Sequence, residues 1–348
     1  MRPEQWDIFK RAARGERMSR IPMSLIIDSP WIPGYMGIKH LDFYLDPELW
    51  FQAHLKIHRE FPDIIFFPSW WMEYGMAAEP SALGAKIKFW PENTPSECPA
   101  LHTIEDLDKL PEYDVKTDAF MALTLHRIQS QRQRILDQGE ILPVVTSRGP
   151  LCTAGFVRGT TDLMMDILEK PEWAHKLIDL STRLIIDWLK AQAEAMGPTV
   201  EGIFILDDIV GFLSPSHYKE FAHPYLKRIC DAFPTHWVKI YHNDANVNAC
   251  LEHIPDCGFH VLNWGKQTDI ADVKRRVGNR LCLMGNVNPL EIGVRGTPEQ
   301  VHAATLAVLE KSAGENIILS LGGGVSPGMP RQNILAMQQA LAEFNKGR

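Results

Sequence analysis

The 348-residue chain lacks several features that would place it in a specialised class of protein. Its six cysteines show no Cys-x-x-Cys spacing, which argues against a disulfide framework and predicts reduced thiols. No apolar run approaches the ~20 residues that are needed to cross a bilayer, and the polar amino terminus has no signal-peptide core. We therefore predict a cytoplasmic protein without membrane contact.

Positive charge is also scarce, since 36 lysines and arginines face 43 aspartates and glutamates, for a net charge of −7. This balance provides no basic surface for nucleic acid or for an anionic membrane. The 45% hydrophobic and 23% charged content is typical of a soluble globular protein with a sizeable core. The length suits one large α/β barrel or two average domains, and we predict a single domain over residues 1–348.

Eight apolar runs, each bounded by turn signals, predict β-strands: Ile21–Ile27, Asp63–Phe67, Ile141–Thr146, Gly202–Leu206, Trp237–Tyr241, His260–Leu262, Leu281–Met284 and Ile317–Leu321. Helical patterns open and close the chain and fall between most strands: Pro3–Gly15, Pro47–Phe61, Thr117–Gln138, Pro171–Met196, Pro215–Phe233, Val247–Ile254, Asp269–Arg276, Thr297–Ser312 and Pro330–Phe344. Eight alternating units predict an α/β fold of the (β/α)8 TIM-barrel type with an N-terminal helix. The rival open sheet is disfavoured because no Gly-x-Gly-x-x-Gly follows the first strand.

The segment from Ser69 to Tyr113 interrupts this alternation after the second strand. It contains Trp70, Trp71 and Trp90 together with several prolines. Insertions of this length after barrel strands commonly form lids or pocket walls. We predict that this insertion borders the active site.

Polar and metal-capable side chains recur where the later strands end. His242 and Asp244 follow the fifth strand, and Asp207 and Asp208 follow the fourth. Barrel enzymes assemble their active sites from the carboxyl ends of the strands, so this pattern predicts an enzyme.

The second half of the chain resembles the uroporphyrinogen decarboxylase superfamily. The resemblance covers roughly residues 140–345. Five segments keep the order and spacing that the superfamily shows: Arg148-Gly149-Pro150, the segment from Asp207 to Lys227, the strand ending in His242, Gly285-Asn286-Val-Asn288-Pro289, and the loop from Gly322 to Pro330. The resemblance implies the barrel fold. It also implies one of two chemistries.

The decarboxylases of this superfamily hold tetrapyrrole carboxylates with an arginine pair after the first strand. Here the corresponding loop, 28–37, contains no arginine, so the substrate carboxylates would lack cationic partners. A lyase acting on a tetrapyrrole or another carboxylate is therefore the alternative, and an assay with uroporphyrinogen would test it.

The second chemistry is that of the corrinoid-linked methyltransferases. Those with thiol substrates carry His-x-Cys and a second cysteine in the last glycine loop, which together hold zinc. This chain has His242-x-Asp244 and glycines at 322–324, so the resemblance implies a harder site for a divalent metal such as zinc. The candidate ligands are His242 with carboxylates from Asp207, Asp208 and Asp244.

We accordingly predict transfer of a methyl group from a methoxylated or methylated small molecule to a corrinoid protein. The corrinoid would arrive on a separate partner because no Asp-x-His-x-x-Gly signature occurs in this chain. A homodimer is compatible with the sequence. The predicted catalytic residues are His242, Asp208, Glu73 and Tyr74, the last two as proton donors, and the predicted substrate-binding residues are Trp31, Trp70, Trp71, Asp28, Arg148 and Asn286.

Each of these assignments has a structural alternative. His242 would be a hydrogen-bonded strand-end histidine without metal, and Asp244 would cap a helix that opens near Asn246. One of the two adjacent aspartates, 207 and 208, would act as a helix cap, and the tryptophans would form the core of a lid. A non-catalytic corrinoid-binding protein is the corresponding functional alternative.

Overall fold

The computed structural model describes residues 1–110 and 112–348. It contains ten strands: β1 Ser24–Ile26, β2 Ile65–Phe67, β3 Lys86–Lys88, β4 Ser96–Cys98, β5 Val144–Arg148, β6 Gly202–Leu206, β7 Val238–Asn243, β8 Val261–Trp264, β9 Cys282–Val287 and β10 Ile317–Leu321. Strands β5 to β10 form a parallel sheet in chain order, and β1 pairs with β2 in parallel. A parallel bridge between Met23 and Leu319 joins the two sheets. The predicted eight-stranded parallel barrel is confirmed, and β3 and β4 form a separate antiparallel hairpin.

The inside of the barrel is filled by apolar side chains because alternate residues of every strand point inward. All eight barrel strands contribute to one buried cluster, including Ile26, Phe67, Val144, Phe204, Ile240, Val261, Met284 and Ile318. The barrel is thus a packed core, and a ligand can enter only at one of its ends.

The N-terminal helix closes the end of the barrel at which the strands begin. Phe9 stacks on Phe67 with ring centroids 5.0 Å apart, and Trp6 donates a hydrogen bond to Glu201 at 2.9 Å. Both aromatic side chains are almost completely buried. The opposite end, formed by the carboxyl ends of the strands, remains for the active site.

The seam between β2 and β5 is held by side chains and loop backbone. Among the described residues no strand ladder joins these two strands, and Ser69 instead donates to the carbonyl of Ile141 at 3.1 Å. The buried ammonium of Met1 lies 2.9 Å from a carboxylate oxygen of Glu140. That carboxylate also contacts His58 at 2.7 Å and Trp70 at 2.5 Å. Glu140 therefore organises the closure of the barrel at this point.

Helices cover the outside of the barrel: α1 Pro3–Ala13, α2 Ile32–Met36, α3 His40–Leu45, α4 Pro47–Glu60, α5 Ala78–Ala82, α6 Ala119–Leu136, α7 Pro150–Arg158, α8 Thr160–Glu169, α9 Pro171–Met196, α10 Pro215–Phe221, α11 His223–Asp231, α12 Ile270–Val277, α13 Pro298–Lys311 and α14 Arg331–Lys346. Short 3-10 turns occur at Ile104–Lys109, Asp208–Phe212, Val247–Ala249, Leu251–His253 and Pro255–Cys257, and a π-helical turn at Pro289–Val294. Within the described part of the chain, no helix combines the length and apolar character required to cross a membrane.

Two local predictions are wrong. The helix predicted over Pro215–Phe233 is divided into α10 and α11 because Pro224 has no N–H with which to continue α10. The helix predicted over Val247–Ile254 consists of short 3-10 turns that end before Gly258, which has a φ of +99°. Helices α7 and α8 follow Gly149 in a segment for which the sequence patterns predicted no element.

Candidate metal centre and its cavity

Strand register determines where the central histidine lies. The Cα partner of His242 is Leu206 on one neighbouring strand and Asn263 on the other. In parallel strands, partners at the same level direct their side chains to the same side of the sheet. His242 is 5% exposed, so its ring is held within the carboxyl end of the barrel beside Asn263.

Asp208, His242 and Asp244 form a cluster of potential metal ligands. Each offers one ligand atom, and these atoms lie within 4.8 Å of one another. His242 Nε2 is 3.6 Å from Asp208 Oδ1, which also accepts a hydrogen bond from the backbone N–H of Asp244 at 3.0 Å. One imidazole nitrogen and two carboxylates make a donor set that suits zinc or another divalent ion and leaves coordination positions open.

Asn263 controls which nitrogen of His242 faces this cluster. Its side-chain nitrogen donates to the carbonyl of Met284 at 2.6 Å and to that of Leu321 at 2.9 Å. Its oxygen must therefore be the atom that lies 2.7 Å from His242 Nδ1. An oxygen there can only accept, so Nδ1 carries a hydrogen and neutral His242 directs its Nε2 lone pair at the two aspartates.

Asp207 lies outside this cluster, although it is adjacent to Asp208. Its buried carboxylate accepts hydrogen bonds from the backbone N–H groups of Cys152 at 2.7 Å and Leu151 at 3.4 Å. It therefore caps the start of α7 from another strand. Burial raises the pKa of Asp207 to about 7. A Cβ at Gly149 would lie 2.3 Å from this carboxyl group, so glycine is required there for the aspartate to reach the helix.

Asn246 performs the capping role considered for Asp244. Its side chain accepts from the backbone N–H of Asn248 at 3.0 Å, at the start of the 3-10 turn Val247–Ala249. The Asp244 side chain is thus left to face Asp208. Burial, followed by the nearby charge of Asp208, raises the pKa of Asp244. Two carboxylates held this close repel one another unless a cation or a proton lies between them.

A close contact between two loops brings the aspartates together. Gly211 belongs to the turn that begins at Asp208, and a Cβ placed on it would lie 2.6 Å from the Cβ of Ala245 and 2.9 Å from the backbone nitrogen of Asn246. The absence of a side chain at 211 therefore permits the loops after β6 and β7 to pack at the observed distance.

A cavity of about 170 Å³ opens beside the cluster. It is lined by the three potential ligands and by Ile26, Asp28, Ser29, Pro30, Glu73, Gly75, Met76, Thr94, Pro95, Glu97, Arg148, Leu206 and Gly324. Its volume is below the roughly 300–1,000 Å³ that is usual for drug-sized ligands, which indicates a small substrate. The hairpin contributes Glu97, so the insertion after β2 borders this cavity.

The cavity is strongly acidic. Beyond the cluster, three carboxyl groups line it, and Arg148 is the one lysine or arginine among the lining residues. Burial, followed by the charge of Glu73, raises the pKa of Asp28 to about 8, and burial also raises the pKa values of Glu73 and Glu97. The cost of burying the Glu73 carboxylate is partly compensated, because it accepts hydrogen bonds from the backbone N–H groups of Ser29, at 2.9 Å, and Gly75.

The sequence predicted that tryptophans form an aromatic wall of the substrate site. No tryptophan is among the residues that line this cavity, so the predicted placement is corrected. Trp31 is fully buried and donates to the carbonyl of Met329 at 3.1 Å. Trp70 packs on Phe51 and donates to Glu140. Trp71 is half-buried, with its ring centroid 6.1 Å from that of Phe204 and the Arg148 guanidinium 5.8 Å from its ring. Bulky aromatic surface gains more from the core than from a small acidic pocket.

Two further predicted residues also lie outside the lining. Tyr74 is buried against Tyr44 and Phe120, so its hydroxyl does not border the cavity. Asn286 donates to the carbonyls of Thr268 at 3.1 Å and Gly265 at 3.4 Å, which fixes the loop after β8. Asp28, Glu73 and Arg148 do line the cavity.

Asn263 and Glu97 are two site residues that the sequence patterns did not single out. A signal existed for Asn263, which is a buried amide within the apolar strand Val261–Trp264, one strand after His242. No signal marked Glu97, because the distance between the hairpin and the barrel strands cannot be read from a single sequence.

Comparison with known proteins identifies the family. The sequence model of the family described as "Uroporphyrinogen decarboxylase (URO-D)" matches residues 5–344. The chain belongs to this family. The resemblance recognised from the second half therefore extends over nearly the whole chain.

Relatives with established names are distant. Uroporphyrinogen decarboxylase of Chlorobaculum tepidum is 24% identical over 98% of this chain and 97% of its own length, and that of Pseudoalteromonas translucida is 26% identical over 76% of each chain. Among solved structures, a methyltransferase from Methanosarcina mazei has a TM-score of 0.81 at 22% identity and covers 98% of both chains. A B12-independent methionine synthase from Shewanella has a TM-score of 0.60 at 10% identity, covering 94% of this chain and 97% of its own. These likenesses establish the fold, and the family contains both decarboxylases and methyltransferases.

Proposed function

We propose that this protein is a metal-dependent methyltransferase that moves a methyl group from a small methylated or methoxylated compound to a corrinoid carried by a partner protein. The observation that carries the proposal is the convergence of His242, Asp208 and Asp244 at the cavity, with the free nitrogen of His242 directed at the two carboxylates. The methyltransferase from Methanosarcina mazei with the same fold is consistent with it.

The cluster would bind the metal next to the donor. A divalent ion held there would supply Lewis acidity to the oxygen or nitrogen from which the methyl group departs. Asp208 and Asp244 balance its charge, and Asn263 keeps His242 in the ligand form. The loop contact at Gly211 maintains the spacing of the two carboxylates.

The bond between the methyl carbon and its heteroatom would break with its electron pair left on the heteroatom, and the partner's corrinoid, delivered in the Co(I) state, would supply the electron pair for the new bond to the methyl group. When the heteroatom is oxygen, the product needs a proton. Glu73 is the candidate donor because it lines the cavity and burial raises its pKa, which favours the protonated form. Tyr74 is less suitable because it lies outside the cavity lining.

The corrinoid must approach from outside, because a cavity of about 170 Å³ holds only a small molecule. Exposed apolar side chains follow the carboxyl ends of the strands on this face: Met76 at the cavity, Trp90 on the hairpin and Phe212 after Asp208, with exposures of 41%, 46% and 68%. A partner that delivers the corrinoid to this cavity would have to approach past Met76, which lines it, and Phe212, which follows Asp208. We propose that the corrinoid protein docks there.

Charge argues against tetrapyrrole decarboxylation. A substrate with several carboxylates would enter a cavity that already holds five acidic residues and one arginine. Like charges in a partly desolvated site repel strongly, and Arg148 alone offers too few donors to compensate. The cavity, at about 170 Å³, is also small for a tetrapyrrole.

Metal analysis combined with methyl-transfer assays tests the proposal. We expect about one divalent ion per chain in protein purified without chelator, and methylation of free cob(I)alamin from a panel of methoxylated compounds and methylated amines. Asp208→Asn and His242→Ala should abolish both, whereas Asp231→Asn at an exposed position should change neither. Stoichiometric metal with turnover of uroporphyrinogen would favour the lyase. Absence of metal with unchanged behaviour of His242→Ala would favour a non-catalytic corrinoid-binding protein.

A further inference from the structure

We propose that the methyl donor carries a single carboxylate and that the guanidinium of Arg148 binds it. This inference rests on the proposed function, because it assigns the substrate class of the same site. It draws on the one arginine of the cavity lining, which the metal cluster does not use.

The guanidinium of Arg148 has no partner among the described residues. Outside the strand ladder, the hydrogen bonds of Arg148 involve only its backbone, which donates to Glu79 and accepts from the Ser147 hydroxyl, each at 2.9 Å. The arginine nitrogens that are both unpaired and closed off from solvent belong to Arg127 and Arg228 in the described part of the chain. The unpaired donors of Arg148 are therefore accessible, and the residue lines the cavity.

This lack of a partner is unusual for an arginine beside an aromatic ring. The guanidinium lies 5.8 Å from the ring of Trp71, whose face attracts a cation without satisfying its N–H donors. Among the described residues, four other arginines lie over aromatic rings, and each also donates a hydrogen bond from its side chain: Arg127, Arg134, Arg158 and Arg228. Arg148 thus keeps its donors for a ligand.

Two nearby carboxylates are committed to other donors. Glu79 accepts from the Ser147 hydroxyl at 2.7 Å and from the backbone N–H of Arg148 at 2.9 Å. Glu73 accepts from two backbone N–H groups. These bonds hold both carboxylates in place, and neither forms an ion pair with the guanidinium in the described structure. The position opposite the guanidinium is therefore left to a ligand.

The charges around the cavity suit one anion. A divalent ion would balance the two aspartates of the metal cluster. Burial raises the pKa of Asp28 to about 8 and also raises the pKa values of Glu73 and Glu97, which favours their neutral forms. The positive charge of Arg148 then remains. One carboxylate matches it in the bidentate geometry that guanidinium groups favour, whereas several carboxylates would exceed it.

Strand register places this guanidinium near the metal cluster. The Cα partner of Arg148 is Leu206, and the partner of Leu206 on the next strand is His242. Neighbouring strands are about 4.8 Å apart, so two strand spacings separate the backbones of Arg148 and His242 by roughly 10 Å. A short donor can therefore place its carboxylate on Arg148 and its methylated atom at the cluster. The cavity volume of about 170 Å³ restricts the donor to a compact monocarboxylate.

Matched pairs of ligands isolate the effect of charge. Calorimetric titration of metal-loaded wild-type protein would compare methoxyacetate with 2-methoxyacetamide, and 4-methoxybenzoate with 4-methoxybenzamide. In each pair an amide replaces the carboxylate at nearly the same shape. We expect the carboxylate to bind at least about tenfold more tightly than its amide in one or both pairs, as is typical of a charge-assisted hydrogen bond.

Substitutions of the arginine locate the effect. Arg148→Met keeps an unbranched apolar stem and removes the charge, so it should weaken carboxylate binding about tenfold and leave the affinity for the amide and the metal content unchanged. Arg148→Lys keeps the charge without the planar fork and should retain part of the preference. Arg183→Met is the matched control, because the Arg183 side chain is 58% exposed on α9.

Three outcomes would overturn the inference: equal affinity for acid and amide in both pairs, no binding of any of the four ligands, or a preference for the carboxylate that persists in Arg148→Met. The last would place the carboxylate on the metal. The titration needs no corrinoid, so it separates the two proposals. Carboxylate binding without methyl transfer would contradict the proposed function alone, and transfer from neutral ethers without a preference for carboxylates would contradict this inference alone.

Discussion

The side-chain oxygen of Asn263 lies 2.7 Å from Nδ1 of His242, and both hydrogens of the Asn263 amide are already donated to backbone carbonyls. The amide can therefore only accept from the histidine. An asparagine on one strand thus keeps a hydrogen on Nδ1 of a histidine on the next and leaves Nε2 as the nitrogen that faces the two aspartates.

Removal of this acceptor should weaken metal binding. We expect Asn263→Leu, which keeps the branching at Cγ and the number of side-chain heavy atoms, to reduce metal affinity about 10–100-fold, because His242 would lose the bond that orients its ring. Competition with a chelator of known affinity would measure the change. Asn333→Leu is the control, since Asn333 is also a buried amide with two backbone carbonyl partners but contacts Gly293 and Gly296. Equal loss of metal in both variants would contradict the role of Asn263.

The contact between the loops after β6 and β7 gives a second prediction. Gly211→Ala places a Cβ 2.6 Å from that of Ala245, so the loops must separate and the distance between Asp208 and Asp244 must increase. We expect a lower metal affinity, measured by chelator competition, and a loss of about 1–3 kcal/mol in the free energy of unfolding, measured by denaturant unfolding. Gly34→Ala has open space around the new methyl group and should leave metal binding unchanged. Unaltered metal affinity in Gly211→Ala would show that the cluster tolerates a wider spacing.

The seam of the barrel gives a prediction that depends on pH. Burial opposes ionisation of Glu140, but hydrogen bonding and charge from His58 and from the ammonium of Met1 hold its pKa below the ordinary 4.5. A lowered carboxyl pKa stabilises the folded state above the unfolded pKa, and this stability is lost as pH falls through the folded value. Glu140→Gln should therefore cost about 3 kcal/mol at pH 7 and less at pH values below 4.5.

Thermal unfolding of both proteins across this pH range would measure the difference. Arg59 also binds near this seam, through Gln138 at 3.1 Å on the surface, so Gln138→Ala serves as a control with little effect at any pH. A difference between wild type and Glu140→Gln that stays constant down to pH 3 would contradict the ionised state of Glu140.

The proposed docking surface gives a prediction about the partner. Phe212→Asp should raise the KM for the corrinoid protein severalfold, because a charge replaces an apolar side chain that is 68% exposed, while metal content remains unchanged. Ile8→Asp is the control, since Ile8 is exposed on α1 at the opposite end of the barrel. Similar effects of both changes would place the docking surface elsewhere.

The sequence predicted the barrel because its strands are nearly continuous apolar runs, and these runs need no tertiary information to be recognised. It also predicted His242, Asp208 and Asp244, since all three lie just where strands end. It did not distinguish Asp207 from Asp208, because the difference depends on Gly149 and on the start of α7 at Pro150, which lies 57 residues before Asp207 in the chain.

The tryptophans show the opposite case. Their positions after the first and second strands suggested a pocket wall, but a loop at the carboxyl end of the barrel can turn its side chains inward to the core, as Trp31 and Trp70 do. The direction in which each tryptophan side chain points depends on packing partners from α4 and from the last loop. A local sequence pattern does not contain these partners.

The hairpin 86–98 has a consequence for how the cavity could change its ligand preference. The candidate metal ligands belong to β7 and to the loops after β6 and β7, whereas Glu97 belongs to β4, which pairs only with β3 in the described structure. The part of the cavity wall that the hairpin supplies is therefore independent of the strands that carry the candidate ligands. Exchange of this one hairpin would alter the cavity lining and leave Asp208, His242 and Asp244 in place.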